Sequence, residues 1–440
     1  MGRANVVSAA LCLAMGLGSR SAPAQQPSTV RQLSLADAVS IALEHNPDSL
    51  SSEAELKGAE SARAEARGGF GPKVHVDANA QQWNSPFDIA FGGGSIRVRD
   101  AFTWTASVSA VQPLTQLFAI YDQYKLQDFG VDVATMRRAA TRRDIAFRVI
   151  EAYYRLLEAS RLSQVAEASV AQLEAQQRQA QSLLDNGVIG KNDLLRASLA
   201  LASARQRAIQ MRGQIDLARG QLATAMGVQE TESFEPAPFL GEPPPTGTAT
   251  IRSAEALATA QRLELREIDR RIDQADKNVG VAKTKLIPQV SAGANYTHFE
   301  GSAFQQSNAF YAGLFASWDV WDWGTTPAGI RAAESQLSLA RLARRKAEDE
   351  VRLEARQAFV NATTEREALA VARAAVLQAE ENFRIVTKRF ENAAATSFDV
   401  VDAEALLTQT RGQVETALYD LLIAQAALEK ATGAPLPGER

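Results

Sequence analysis

The side chains able to do chemistry in this chain are few and scattered. Its three histidines, His45, His75 and His298, lie far apart, and its one cysteine, Cys12, sits near the start. A Cys/His zinc centre and a cysteine nucleophile are therefore excluded. No Ser/His/Asp arrangement, glycine-rich phosphate loop or metal-ligand cluster stands out, so the chain is read as no enzyme and as needing no cofactor. The acidic spacing that does stand out is Asp399-Val400-Val401-Asp402, preceded by Thr396-Ser397-Phe398. Thr396 and Asp399 have the spacing of a reciprocal helix cap, and an acid in a first turn suits the helix dipole. Asp402 lies one turn deeper, where capping no longer accounts for it. Asp193 is read as another helix-start residue.

Composition narrows the classes further. Lys+Arg number 47 against Asp+Glu 51, a net charge of −4 with no long basic run. That excludes a nucleic-acid binder built on phosphate contacts. A hydrophobic share of 46% supports burial and excludes wholesale disorder. Residues 1–24 have the form of a cleaved signal peptide: Arg3, an uncharged stretch from Ala4 to Leu17, and Ala22-Pro23-Ala24 as the small-x-small cleavage pattern. No later segment approaches 18 consecutive apolar residues, so no transmembrane helix is expected. The periplasm, the exterior and an outer-membrane β-barrel remain.

The chain repeats itself. An offset of 206 lays Asn186-Gly187 and Asp193-Leu194-Leu195 over Asn392-Ala393 and Asp399-Val400-Val401, and pairs Leu222 with Leu428 and Gly227 with Gly433. Upstream, Gly71-Pro72-Lys73-Val74 matches Ile287-Pro288-Gln289-Val290 at an offset of 216, so the first copy carries ten extra residues. They fall in the glycine-rich turn around Phe87 to Ser95, where a hairpin tip tolerates insertion. The expected division is a first repeat over 25–232, a proline-rich linker over 233–250, a second repeat over 251–433 and a tail over 434–440. Each repeat is read as one helix, two strands (73–111 and 289–321) and two very long helices. The linker, with Pro236, Pro238, Pro243, Pro244 and Pro245, is extended and stiff, either a strap on the helices or a free connection.

Two periodicities support that order. Val376, Ala379, Phe383, Val386 and Phe390 step by three and four, as do Val414, Ala417, Leu421, Ala424 and Leu428, and Ala208, Met211, Ile215, Ala218 and Leu222. This is a coiled-coil seam in which small alanines permit close approach. Residues 118–186 hold no proline and would span about 100 Å as one helix. The strands alternate instead, with Phe102, Trp104, Ala106, Val108 and Ala110 on one face and Thr103, Thr105, Ser107 and Ser109 on the other. All five tryptophans, Trp83, Trp104, Trp318, Trp321 and Trp323, fall in the strand windows and none in the helices. A soluble sandwich gathers aromatics too, but the interface preference of tryptophan favours a membrane barrel. Four strands cannot close alone, because a barrel needs about eight and lipid does not tolerate open edges. Either this sheet is not in a membrane, or several chains share one barrel, so the membrane reading demands oligomerisation.

These residues resemble a known family. Leu33-Ser34-Leu35-Ala36-Asp37-Ala38-Val39 with Ala42-Leu43-Glu44-His45-Asn46-Pro47, the Leu-Ile-Pro-Gln-Val of 286–290 and the paired helix turns are similar to TolC-type outer-membrane efflux proteins. The resemblance implies a mixed α and β membrane protein. In it a homotrimer forms a 12-stranded transmembrane β-barrel, four strands per protomer, continuous with a long periplasmic α-helical barrel. It also implies an exit duct for small toxic compounds or metal ions, in the outer membrane with a large periplasmic portion. Its partners would be a periplasmic adaptor (membrane fusion) protein and an inner-membrane pump of RND or ABC type. A type I protein-secretion channel is the first alternative, and a periplasmic coiled-coil adaptor or scaffold the second.

The same resemblance puts Asp399 and Asp402 at the closed periplasmic tip. Three-fold symmetry would there turn each aspartate into a ring that binds cations. Asp399 remains open between cap and gate. Asp193, Gly187 and Ala394 become tip contacts for adaptor hairpins. One departure matters: the family's closing network uses a Tyr and an Arg at positions matching Phe390 and Ala395, which supply neither hydroxyl nor cation. Other residues must hold the tip, or closure is weaker.

Overall fold

The computed structural model describes residues 31–229, 234–245, 250–392 and 394–438. The expected signal peptide lies outside these residues, as do Ala393 and parts of the linker. The chain runs β1 (Arg31–Leu33), α1 (Leu35–His45), α2 (Pro47–Gly68), β2 (Lys73–Gln82), β3 (Phe87–Phe91), β4 (Gly94–Pro113), α3 (Leu117–Asp185) and α4 (Lys191–Met226). It continues through β5 (Phe234–Pro236), α5 (Ile251–Gln261), α6 (Leu263–Thr284), β6 (Gln289–Ser302), β7 (Asn308–Ser317), α7 (Thr325–Glu391) and α8 (Ser397–Thr432). Helices α3 and α7 hold 69 and 67 residues, and α4 and α8 hold 36 each. At 1.5 Å per residue the two longest reach about 100 Å.

The leading helix expected in each repeat is two helices. In the first repeat Asn46 is extended at φ −65°, ψ 130°, caps α2 through Asp48 N at 2.9 Å, and precedes a proline that fits the first helical turn. Its Nδ2 also donates to Ala225 O at 2.8 Å. The equivalent joint has no proline. There Arg262 is extended at φ −62°, ψ 127°, with its side chain only 8% exposed and held by Glu264 at 3.0 Å and Glu354 at 2.9 Å. Different residues thus make the same bend, and each bend seats the glycine that ends a returning helix, Gly227 or Gly433.

The main core lies at mid-height, where α1, the middle of α3 and the ends of α4 and α8 meet through Val39, Ile150, Leu156, Leu222, Met226 and Leu422. The proline-rich segment is a strap. β5 pairs in parallel with β1, Phe234 is buried, and Pro244 O accepts hydrogen bonds from Arg366 and Gln425 at 2.7 Å. Tyr153 Oη lies 3.0 Å from both Leu33 O and Ala237 O, and burial pushes its phenol up to about 12. The parallel β1–β5 pair was not foreseen, since three residues give too little alternation to read.

The sheet order is β2-β4-β6-β7, with β3 paired to the start of β4. The ten extra residues therefore do more than lengthen a turn. They fold back through Gly92 and Gly93, at φ +62° and +86°, as a fifth short strand. Both left-handed positions require glycine for want of a Cβ clash. The last strand stops at Ser317 rather than at 321. Asp322 accepts from Gly324 N at 3.1 Å and Thr326 N at 2.7 Å, turning the chain into α7, with Trp323 at φ 56°. Trp318, Trp321 and Trp323 consequently sit in the strand-to-helix turn, not in a strand.

Candidate functional site

The sheet register builds one continuous apolar face. Val74 opposes Ala110, Val76 opposes Val108 and Ala80 opposes Trp104. Across the next ladder Ala110 meets Ala294 and Val108 meets Tyr296, then Tyr296 meets Phe310 and Ala292 meets Leu314. Residues opposite one another share a face, so the four alternating patterns coincide instead of cancelling. The other face carries His75, Asp77, Asn79, Thr105, Ser107, Ser109 and Asn295. Among the described residues nothing covers either side of the edge strands. Every residue of β2 and β7 is exposed, and each strand has ten residues, the length of an outer-membrane strand. The chain's accessible surface of 27616 Å² exceeds by roughly two thirds the ~16,000 Å² expected of a compact monomer of its mass.

The tryptophans divide. Trp104 lies on the apolar face, its Nε1 donating to Glu300 at 2.7 Å and its ring 4.9 Å from that of His298. Trp318, Trp321 and Trp323 are exposed at the opposite, helical end, with the last two in edge contact at 5.9 Å. Trp83 departs from the expected grouping. Its backbone N donates to Ala101 O at 2.7 Å and its Nε1 to Thr103 Oγ1 at 3.1 Å, on the face opposite Phe102 and Trp104.

The two helical turns at the far end are related by the repeat. Asn186 and Asn392 each donate Nδ2 to the carbonyl four residues back at 2.8 Å, and Val188 N and Ala394 N close matching bonds onto Leu183 O and Arg389 O. Matching ion pairs stand above them, Arg205–Glu174 at 2.7 Å and Arg411–Glu380 at 2.8 Å. Gly187 takes the left-handed position at φ +68°, as a helix C-terminus commonly requires. Gly187 and Ala394 are both exposed at these turns. The caps differ between the repeats. Thr396 N donates to Asp399 Oδ2 at 2.8 Å and Thr396 Oγ1 accepts from Asp399 N at 3.3 Å, whereas Gly190 opens α4 without any side-chain cap. The hydrogen bonds from Thr396 hold the Asp399 carboxyl below its ordinary range. Asp399 thus faces its own helix end. Asp402 is exposed, and neither it nor Asp193 has an ion-pair partner among the described residues.

One acidic residue escaped the sequence reading. Glu404, 2% exposed, accepts from Ser169 Oγ at 2.5 Å and Thr408 Oγ1 at 2.7 Å. Ser169 lies on α3 and Glu404 on α8, so this contact ties the tip hairpins of the two repeats together. Beside it Leu173, Leu201 and Ala204 form an apolar cluster against Val401, and Arg196 lies 5.5 Å over the ring of Phe398. Phe390, 1% exposed, packs inside its hairpin instead of offering a polar group. Its neighbour in the departure, Ala395, is half-buried at the turn.

Among the described residues no group of His, Cys, Asp and Glu could hold a metal ion, and no helix is long and apolar enough to cross a membrane. The family model described as outer membrane efflux protein matches residues 38–228 and 256–434. The outer membrane efflux protein BepC of Brucella suis is 20% identical over 377 residues, 84% of this chain and 78% of its own. Among solved structures, the outer-membrane channel OprN superposes with a TM-score of 0.79 over 92% of this chain and 90% of that one, at 20% identity. The outer membrane protein VceC of Vibrio cholerae does so at 0.77 over 91% and 96%, at 18% identity. With both of its halves matched by one family model, the chain belongs to the outer membrane efflux protein family.

Proposed function

We propose that three copies of this chain close a twelve-stranded barrel, four long strands from each, above a tube of their long helices. Membership of the family makes the chain an outer-membrane channel with a periplasmic helical portion, not an enzyme and not a soluble adaptor. The assembly and its partners are our reading. The observation that carries it is the sheet: a single register-aligned apolar face, with uncovered edges at β2 and β7. An open edge in hydrocarbon leaves backbone groups unsatisfied, so only pairing with sister sheets removes the penalty. The duct would conduct small toxic compounds or metal ions passively from an inner-membrane pump of RND or ABC type, through a periplasmic adaptor. Trp104 would mark one membrane interface and Trp318, Trp321 and Trp323 the other. At the periplasmic tip Asp402, free of capping, would supply the acidic ring, and Gly187 and Ala394 the close approach of adaptor hairpins.

Docking has a direct test. In cells whose own copy is deleted, the wild-type chain should restore ethidium extrusion. Ala394→Trp should not, although its trimers reach the outer membrane in equal amount. Normal extrusion by the variant removes the docking role.

Tip closure has another. Glu404→Leu leaves the Ser169 and Thr408 hydroxyls without their acceptor, at about 1–3 kcal/mol for the buried Ser169 and less for the half-buried Thr408. The two hairpins should loosen, and the conductance of the resting trimer in a planar bilayer should rise several-fold. Glu404→Gln, which keeps an acceptor oxygen, should stay close to wild type. Equal conductance of the Leu variant and wild type would show that Glu404 packs the tip without holding it shut.

A further inference from the structure

We propose that the β7 edge of one chain pairs with the β2 edge of a second copy in one specific register, which sets Tyr311 against Trp83 of the partner subunit on the hydrophilic face. This rests on the shared-barrel reading above. The two edges suit one another before register is considered. Each has ten residues, all exposed. Every ladder in the order β2-β4-β6-β7 is antiparallel, so the outermost strands run in opposite directions and a second copy continues the alternation. Within one chain three strand spacings of about 4.8 Å separate β2 from β7, so the edges of one sheet do not meet each other.

The internal repeat supplies the register. The offset of 216 before the extra residues and 206 after them carries the pair Lys73 and Val111 of the first hairpin onto Gln289 and Ser317, which pair in the second. In register the two hairpins are copies of one another. The ladder between β4 and β6 joins the end of the first hairpin to the start of the second. A seam between chains joins the end of the second to the start of the first, which is the same junction with the copies exchanged. Under the same offsets Ala110 opposite Ala294 becomes Ala316 opposite Ala78, and Val108 opposite Tyr296 becomes Leu314 opposite Ala80. Ser107 opposite Thr297 becomes Gly313 opposite Gln81, and Val111 opposite Gly293 becomes Ser317 opposite Asp77. Thr105 opposite Phe299 becomes Tyr311 opposite Trp83. Both faces then run unbroken across the seam, whereas a slip of one residue would exchange them. Trp83 is fixed for such a contact by its backbone bond to Ala101 O and its Nε1 bond to Thr103 Oγ1. Tyr311 stands on the same hydrophilic face, since it pairs with Asn295. Aromatic side chains directly opposite one another stabilise a ladder.

Cysteine pairs read the register directly. A disulfide needs Cα atoms within about 7 Å, and diagonal neighbours across a ladder lie at about 7–8 Å. Cys12 is the only cysteine, so a Cys12→Ser background carries no other thiol. An added Cβ at Gly313 has its nearest contact at 4.0 Å, on Phe315, so a side chain fits there. Gly313→Cys with Gln81→Cys, and Ser317→Cys with Asp77→Cys, should each oxidise the purified full-length protein to a covalent trimer on a non-reducing gel. Gly313→Cys with Asn79→Cys, and Ser317→Cys with Asn79→Cys, report slips of two residues in the two directions, and each should yield about fivefold less. A slip pair that cross-links as well as the predicted pairs overturns this register and leaves the shared barrel standing. No cross-link in any of the four, from protein that native mass spectrometry weighs as three chains, overturns the meeting of these edges and again leaves the trimer. Protein weighed as one chain defeats the barrel reading and this inference with it.

Discussion

An arginine at Leu314 should prevent stable assembly in the outer membrane. Leu314 is in the middle of β7, 73% exposed, and opposite Ala292 on the apolar face. If that face meets lipid near the bilayer midplane, the substitution costs about 2–4 kcal/mol in each chain, and a trimer carries the penalty three times. The control is Ser109→Arg on β4. Ser109 opposes His75 and Asn295 on the hydrophilic face, where an arginine would meet water and should cost under about 1 kcal/mol. The readout is the heat-resistant oligomer recovered from outer-membrane fractions. Strong loss for Leu314→Arg with near-normal recovery of Ser109→Arg is expected. Equal loss in both would mean that the two faces see the same surroundings.

Gly227→Ala should be the most damaging small substitution in the helical part. Gly227 ends α4 in the left-handed region at φ +72°, and an added Cβ would lie 2.6 Å from Asn46 Cα and 2.9 Å from Asn46 N. The left-handed conformation costs a non-glycine residue about 1–2 kcal/mol, and the clash with backbone that cannot rotate away adds about 1–3 kcal/mol. A loss of about 3 kcal/mol is therefore expected. Gly433→Ala, whose nearest contacts are Gln261 Cβ at 2.9 Å and Gln261 C at 3.2 Å, should lose less. Gly213, inside α4 with nothing within 4 Å of its added Cβ, should instead gain about 0.5–1 kcal/mol on conversion to Ala. Thermal unfolding followed by helical circular dichroism would rank the three, and a Gly227→Ala midpoint equal to that of wild type would refute the account of the joint.

The long helices were legible because their signal is redundant: seam residues such as Ala379, Leu421 and Leu428 recur over many turns and end up buried. Strand faces were legible for the same reason. What failed was local and depended on a partner. The bend at Arg262 is written in an ion pair with Glu354, ninety-two residues along the chain, and not in a proline. The side taken by Trp83 is set beyond the regular end of β2, near register shifts at Phe87/Asp88 and between Arg99 and Trp104, where alternation stops being a guide. The last strand ends early because the Asp322 turn captures its chain, a hydrogen-bonding pattern invisible to hydropathy. At the tip, the cap at Asp399 could be read from Thr396 alone. Glu404 could not, since its partner Ser169 is 235 residues distant.

The central claim is that this sheet is one third of a shared wall. The most direct measurement is the number of chains in the detergent-solubilised, processed protein, weighed intact by native mass spectrometry. Three chains per particle, with aggregation once detergent is withdrawn, is the predicted result. A single chain that stays dispersed in plain buffer would contradict it.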